Sequence, residues 1–149
     1  MTTMLRVTIA AALLAGCSPT GPDEADELRR NMAVWEARGP AQYEVVVQRS
    51  SCECLPEWLL PIRLTVSERQ VVSVVDEQTR QPIAGDLYHA MSVEELFALI
   101  QDAIDRGAHR IAATYHPQLG YPTSIFIDYD RLAVDEELTL SVRDLLAVN

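Results

Sequence analysis

The sequence predicts an α+β fold of two layers, a mostly antiparallel sheet with helices on one face, and three observations carry that prediction. Periodic stretches follow the order helix, three strands, helix, three strands, or α-βββ-α-βββ. Within each group of three, adjacent strands are joined by short turns, which favours antiparallel pairing. Apolar residues make up 48% of the chain and charged ones 23%, the composition of a globular domain.

The first helix runs from Asp23 to Arg38. Ala25, Leu28, Met32 and Trp35 recur at three- and four-residue spacing, acids fill the first turn, and Gly39-Pro40 stops it. Gln42 to Arg49 alternates as a strand with Tyr43, Val45 and Val47 on one side, and Pro56 ends regular pairing. In the second strand Ile62, Leu64 and Val66 alternate with Arg63, Thr65 and Ser67. After the turn Glu68-Arg69-Gln70, Val71 to Val75 is apolar on both faces, which predicts a central strand.

A long polar loop from Asp76 to Ala90 leads to the best-specified element. Ser92 and Glu95 form a capping box, and Met91 and Leu96 occupy the positions of a hydrophobic staple. Val93, Leu96, Phe97, Ile100 and Ile104 make the buried stripe, and Gly107 is placed just past the helix end. Strands follow at His109 to Tyr115, Ser124 to Tyr129 and Glu137 to Arg143. The Pro- and Gly-bearing segment His116 to Pro122 forms a broad hairpin loop between the first two.

Ahead of this domain, Arg6, the apolar run Val7 to Leu14, small Ala15 and Gly16, and then Cys17 resemble the signal peptide and lipobox of a bacterial lipoprotein. The run is too short for an uncut span, which needs roughly 20 residues; an ordinary secretory signal stays open as an alternative. The resemblance implies cleavage of residues 1–16, a diacylglycerol thioether on Cys17 and an acyl chain such as palmitate on its amino group. Residues 17–22 are then the lipidated cysteine and a tether, the five residues 18–22 reaching roughly 17 Å, and residues 23–149 form one domain. Ser18, where an aspartate would favour the inner membrane, points to the periplasmic face of the outer membrane in a Gram-negative host.

Loss of Arg6 takes the formal charge from −10 to −11. That balance argues against nucleic acid and against lying on an anionic lipid surface. All 12 basic residues are Arg, which excludes lysine Schiff bases, Walker-type phosphate loops and Ser/Lys dyads.

Cys52 and Cys54 are the first candidates for chemistry. In an exported domain they tend to oxidise, but residues two apart in an ideal strand sit about 6.6–6.8 Å apart, at the edge of disulfide range. Pairing therefore requires a kink. A local disulfide, a soft-metal site suited to Cu(I), a redox-active pair and free thiols all remain open. His89, His109 and His116 lack zinc-ligand spacing and read as surface or loop histidines. The acids Asp128, Asp130, Asp135, Glu136 and Glu137 fail the calcium-loop pattern, with Ala133 and Thr139 at its glycine and glutamate positions, and read as a solvated turn. Asp128 is a candidate acceptor for backbone amides of the neighbouring loop. No Gly-x-Ser-x-Gly elbow occurs. Tyr115, Tyr121, Phe126 and Tyr129 crowd one hairpin, either as a ligand or partner surface or as packing of its end.

Trp35, Tyr43, Cys52-Glu53-Cys54-Leu55-Pro56, Ser92 with Leu96-Phe97, Tyr115, Gly120-Tyr121-Pro122, Ile125-Phe126-Ile127-Asp128 and Asp135-Glu136 together resemble a family of uncharacterised bacterial secreted proteins and lipoproteins, grouped as a domain of unknown function. The resemblance covers nearly all of the mature chain. It implies the fold and an envelope location, with Gly120, Tyr121, Pro122 and Asp128 as a motif surface, and it implies no reaction. One departure is Glu68-Arg69-Gln70, where the family carries glycine in the turn.

The expectation from sequence is a lipid-anchored envelope protein acting as a non-enzymatic binding or accessory module. It needs no cofactor or metal. Its partners are the membrane, through the lipid on Cys17, and an envelope protein or small ligand of unknown identity. The alternative is a redox or copper-handling protein using Cys52 and Cys54.

Overall fold

In the computed structural model the described residues are 22–50, 55–83, 89–133 and 136–148. Cys17, Cys52, Cys54 and Asp135 lie outside them. The elements are α1 (Pro22–Arg38), β1 (Gln42–Ser50), a 3-10 turn (Pro56–Leu59), β2 (Ile62–Ser67), β3 (Gln70–Asp76), α2 (Val93–Asp105), β4 (Arg110–Tyr115), β5 (Pro122–Asp128) and β6 (Leu138–Ala147). The strands form one six-stranded sheet in the order β3-β2-β1-β6-β5-β4. Every pairing is antiparallel. Each trio is a meander, and the pairing of β6 beside β1 joins the two into a single surface, as the α-βββ-α-βββ reading requires.

Alternation decides which side chains meet the helices. Tyr43, Val45 and Val47 of β1, Ile62, Leu64 and Val66 of β2, Ile125 and Ile127 of β5, and Leu138, Leu140 and Val142 of β6 are all buried in one core. Leu28 and Trp35 of α1 and Val93, Leu96, Phe97 and Ile100 of α2 close it from the other layer. Burying a large apolar side chain is worth about 1.5–3 kcal/mol relative to leaving it exposed, so this stripe-on-sheet contact dominates stability.

The termini of α2 follow the sequence signals. Ser92 Oγ accepts from Glu95 N at 3.3 Å, and Ser92 N donates to Glu95 Oε2 at 2.7 Å, a complete capping box. At the other end Gly107, at φ +66°, donates to Ile104 O at 3.0 Å, and Ala108 donates to Ala103 O at 2.9 Å. Those two bonds are a Schellman closure.

Two strands depart from expectation. β3 is at the sheet edge, not its centre, and Val72 is 61% exposed. The register shift between Thr65 and Val66 explains the misleading run: Ser73 faces Thr65 but Val71 faces Val66, so Val72 is the extra residue of a bulge. Val71 and Val74 therefore both pack on the core although three apart. Val75, on the other face, is bridged by Pro82. β6 extends to Ala147, past the predicted Arg143, through a second irregularity opposite Glu44 and Val46. Asp144 adopts φ +55° there, the left-handed conformation that such a bulge demands and that aspartate tolerates.

Candidate functional site

Among the described residues three places bring polar chemistry together, and the most organised is where α1 ends, β1 begins and α2 begins. Gly39 ends α1 by donating to Trp35 O at 2.7 Å, with its Cα against the indole: a Cβ at that position would lie 2.6 Å from Trp35 Cδ2. The chain can fold back over Trp35 only because residue 39 is glycine. Four positions later Tyr43 enters β1, 1% exposed, its ring meeting Trp35 edge-on at 5.4 Å and 89°.

Glu94, in the first turn of α2, joins them. Trp35 Nε1 donates to Glu94 Oε1 at 3.0 Å and the Tyr43 hydroxyl donates to Glu94 Oε2 at 3.1 Å. The same hydroxyl accepts from Val93 N at 2.9 Å, satisfying one of the amides that a helix start leaves open. Burial, reinforced by the Glu94 charge, pushes the Tyr43 phenol well above its ordinary value, so it remains a donor.

This carboxylate faces a groove with two lobes. One is a cavity of about 360 Å³ walled by Trp35, Glu36, Glu68, Arg69 and Glu94 with the backbone turn at Gly39 and Pro40. The other, about 180 Å³, adds Met32 and Phe97 to Trp35, Glu36, Arg69 and Glu94. The rim opposite the helices is the β2–β3 turn, where Glu68 and Arg69 have φ +51° and +65°. Two left-handed residues are what a two-residue hairpin needs, and glycine or asparagine supplies them without strain. Glutamate and arginine there cost roughly 1–2 kcal/mol each and set two long charged side chains beside the groove.

A second cavity, about 390 Å³, lies at the opposite end of α2 between Arg49, Trp58, Leu99, Arg106, Tyr129 and Glu136. Arg106 is engaged twice, with its guanidinium 4.2 Å from the Tyr129 ring centroid and 3.3 Å from Asp102 Oδ2. On the sheet face away from the helices, Arg63 is 7% exposed. Its Nε and Nη2 meet the two Glu77 oxygens at 2.8 and 2.9 Å, and its Nη1 lies 3.5 Å from Glu44. The Arg63 guanidinium holds the Glu77 carboxyl below the usual range.

Those residues expected from sequence that lie among the described ones are not assembled into one site. Gly120, Tyr121 and Pro122 are buried and do not form a surface. A Cβ on Gly120, at φ +78°, would meet Asn31 O at 2.4 Å and Val34 Cβ at 2.9 Å, so the hairpin loop rests directly on α1. Tyr121 packs edge-on against Trp35 at 6.2 Å and stacks on His116 at 5.0 Å. The other aromatics of this hairpin diverge: Tyr115 stacks on Phe97 on the core side, and Phe126 lies under Arg110. Asp128 is half-buried opposite Arg110, and Asp130, not Asp128, caps the following turn by accepting from Leu132 N at 2.9 Å. Asp130 N in turn donates to Glu136 Oε1.

The histidines have separate fates. His116 Nδ1 accepts from Gln118 N and Leu119 N, organising the hairpin loop. His89, read from sequence as a surface or loop residue, is 1% exposed. Its Nε2 lies 3.3 Å from Leu60 O, and Nδ1 meets no hydrogen-bond partner among the described residues. Desolvation is the first cause of its lowered pKa. Among the described residues no group of three or more His, Cys, Asp or Glu side chains could hold a metal ion, and no helix is long and apolar enough to cross a membrane.

Sequence reasoning missed Glu94 and Arg69. A glutamate in a helix's first turn and an arginine in a surface turn are ordinary in any sequence, and only the packing of Trp35 and Tyr43 around α2 gives them a shared role. A model of a family of unknown function, DUF6174, matches residues 27–147. No curated protein and no solved structure matches the chain.

Proposed function

The chain belongs to DUF6174, a family of unknown function, and from its own residues we propose that it is a lipid-anchored protein of the cell envelope whose domain binds a partner or ligand and catalyses no reaction. The observation that carries this reading is Leu14-Ala15-Gly16-Cys17 directly ahead of the domain: α1 begins at Pro22, with Ser18-Pro19-Thr20-Gly21 between it and the cysteine in sequence. Four residues extend at most about 14 Å, which keeps the start of α1 close to the bilayer. The groove beside Trp35 and Glu94 lies toward the other end of α1. A helix rises about 1.5 Å per residue, placing Trp35 roughly 20 Å further along the axis.

Within this reading, Cys17 carries a diacylglycerol thioether and an amide-linked acyl chain, and Ser18 directs the protein to the periplasmic face of the outer membrane in a Gram-negative host. The test is the intact mass of the protein from a bacterial membrane fraction. A chain beginning at Cys17 with the added mass of three acyl chains and glycerol supports the anchor. An unmodified chain that starts before Cys17 overturns it.

A second reading, a redox or copper-handling protein using Cys52 and Cys54, draws on one observation. Arg49 and Trp58, which flank the pair in sequence, both line the cavity of about 390 Å³. Thiol alkylation with and without reductant, together with a Cu(I) titration of the wild type and Cys52→Ser, separates this reading from the first. Absence of Cu(I) binding and of reductant-dependent alkylation removes it.

A further inference from the structure

We propose that the groove between Trp35, Arg69 and Glu94 binds a small organic cation, a protonated amine carried on an apolar segment. This gives a ligand to the binding role proposed above and rests on that role, but not on the lipid anchor.

Charge selects the sign of the ligand. Glu36, Glu68 and Glu94 line the larger lobe against the single guanidinium of Arg69. None of the ion pairs among the described residues uses any of these four groups. A concave surface holding three carboxylates and one guanidinium, in a chain of formal charge −10, concentrates cations.

Preorganisation selects the anchoring atom. Trp35 Nε1 and the Tyr43 hydroxyl each hold one oxygen of Glu94, so the carboxylate cannot swing away. Both donors are neutral and supply no formal counter-charge. Each oxygen keeps a further lone pair for an ammonium N–H. The smaller lobe supplies the apolar complement through Met32 and Phe97. Together the lobes have the mixed lining and the scale of small-molecule sites, which begin at roughly 300 Å³.

Arg69 sets the choice between two sources of the same ammonium chemistry. A free amine leaves its guanidinium unused, whereas an amino acid places a carboxylate on it. The left-handed Glu68-Arg69 turn gains a role in either case, since glycine there would relieve strain but remove the charged rim.

The experiment is isothermal titration of the full chain, purified in neutral detergent, with phenethylamine, 3-phenylpropionate and phenylalanine. The expected result is saturable binding of phenethylamine and none of 3-phenylpropionate, which has the same ring and the opposite charge. Glu94→Gln weakens the amine about tenfold or more, the loss of a charge-assisted hydrogen bond. Because Glu94 also braces Tyr43, Glu36→Gln on the exposed face of α1 is the second variant, expected to weaken the amine several-fold with an unchanged melting temperature. Phenylalanine binding that exceeds phenethylamine and is lost in Arg69→Ala assigns an amino acid; amine binding indifferent to Arg69→Ala assigns a free amine. No saturable amine binding, equal binding of 3-phenylpropionate, or amine affinity unchanged in both glutamate variants overturns the proposal. The mass of Cys17 in the same preparation reports the anchor separately, so failure of the groove and failure of the anchor are distinguishable.

Discussion

The Tyr43 hydroxyl donates to Glu94 at 3.1 Å across a separation of 51 positions, while accepting from the amide beside it. The first strand and the second helix are thereby tied through one oxygen atom. Tyr43→Phe keeps the ring but leaves Val93 N and one Glu94 oxygen without their partner. The expected cost is about 1–2 kcal/mol, or roughly 3–8 °C in melting temperature for a domain of this size. Because the two side chains share one bond, Tyr43→Phe and Glu94→Gln together should cost less than the sum of the single variants. Additive losses in urea unfolding would show that the contact contributes nothing specific.

Gly120 and Gly107 both have positive φ, yet alanine should affect them unequally. Gly107 has open space around it, so Gly107→Ala costs only the left-handed penalty of about 1–2 kcal/mol. At Gly120 the same penalty is joined by contact with the α1 backbone at Asn31 O, 2.4 Å from the new carbon. The loop must lift off the helix, taking Tyr121 away from Trp35. We expect Gly120→Ala to lose at least about 3 kcal/mol and to change the near-ultraviolet circular dichroism of Trp35, with Gly107→Ala leaving that spectrum unchanged. Equal losses from the two variants would place the loop's importance in φ alone.

These glycines also mark how far the sequence could be read. The capping box at Ser92 and Glu95 and the closure at Gly107 are local, bonding within a few residues, and so were legible as spacing. The alternation of Ile62, Leu64 and Val66 was legible for the same reason. β3 reads as central because an extra residue at Val72 imitates an apolar run, and a bulge has no signature apart from its partner strand. Gly120-Tyr121-Pro122 reads in sequence as a motif surface but is buried, since its contact with Asn31 and Val34 crosses most of the chain. The groove was invisible for that reason too: nothing near Glu94 in sequence foretells Trp35 and Tyr43.

Arg63 and Glu77 form the best-shielded ion pair of the sheet's outer face, with side chains 8% and 19% exposed. Glu77→Gln removes the charge and leaves a guanidinium largely out of water, with the more exposed Glu44 at 3.5 Å as its remaining counter-charge. The expected loss is about 1–3 kcal/mol, below that for a fully buried pair because water reaches Glu77. The pH dependence has a definite sign. Since Arg63 lowers the folded pKa of Glu77 from its ordinary value of 4.5, the pair's contribution is fully present above that value and is lost as pH falls below it. Wild type and Glu77→Gln should therefore converge in stability as pH falls below about 4.5, and parallel curves would exclude the pair as the cause.

His89 produces the opposite protonation problem at a milder pH. It is buried beside Leu60, desolvation lowers its pKa from 6.5, and the nearby charge of Arg49 lowers it further. Above the ordinary value the imidazole is neutral in folded and unfolded chains alike, so it contributes no pH dependence. As pH falls below about 6.5, the unfolded chain takes up a proton that the folded chain refuses, and stability declines at up to about 1.4 kcal/mol per pH unit until the folded group titrates too. His89→Leu removes that proton, and His109 and His116 are present in both proteins and cancel in the comparison. Leu60 O loses its contact at every pH, so the variant should start less stable at pH 7.5 yet decline less between pH 7 and 5.5. Urea unfolding at those pH values measures both slopes. Equal slopes would mean that His89 accepts its proton without unfolding, and the burial around it would then have to open on protonation.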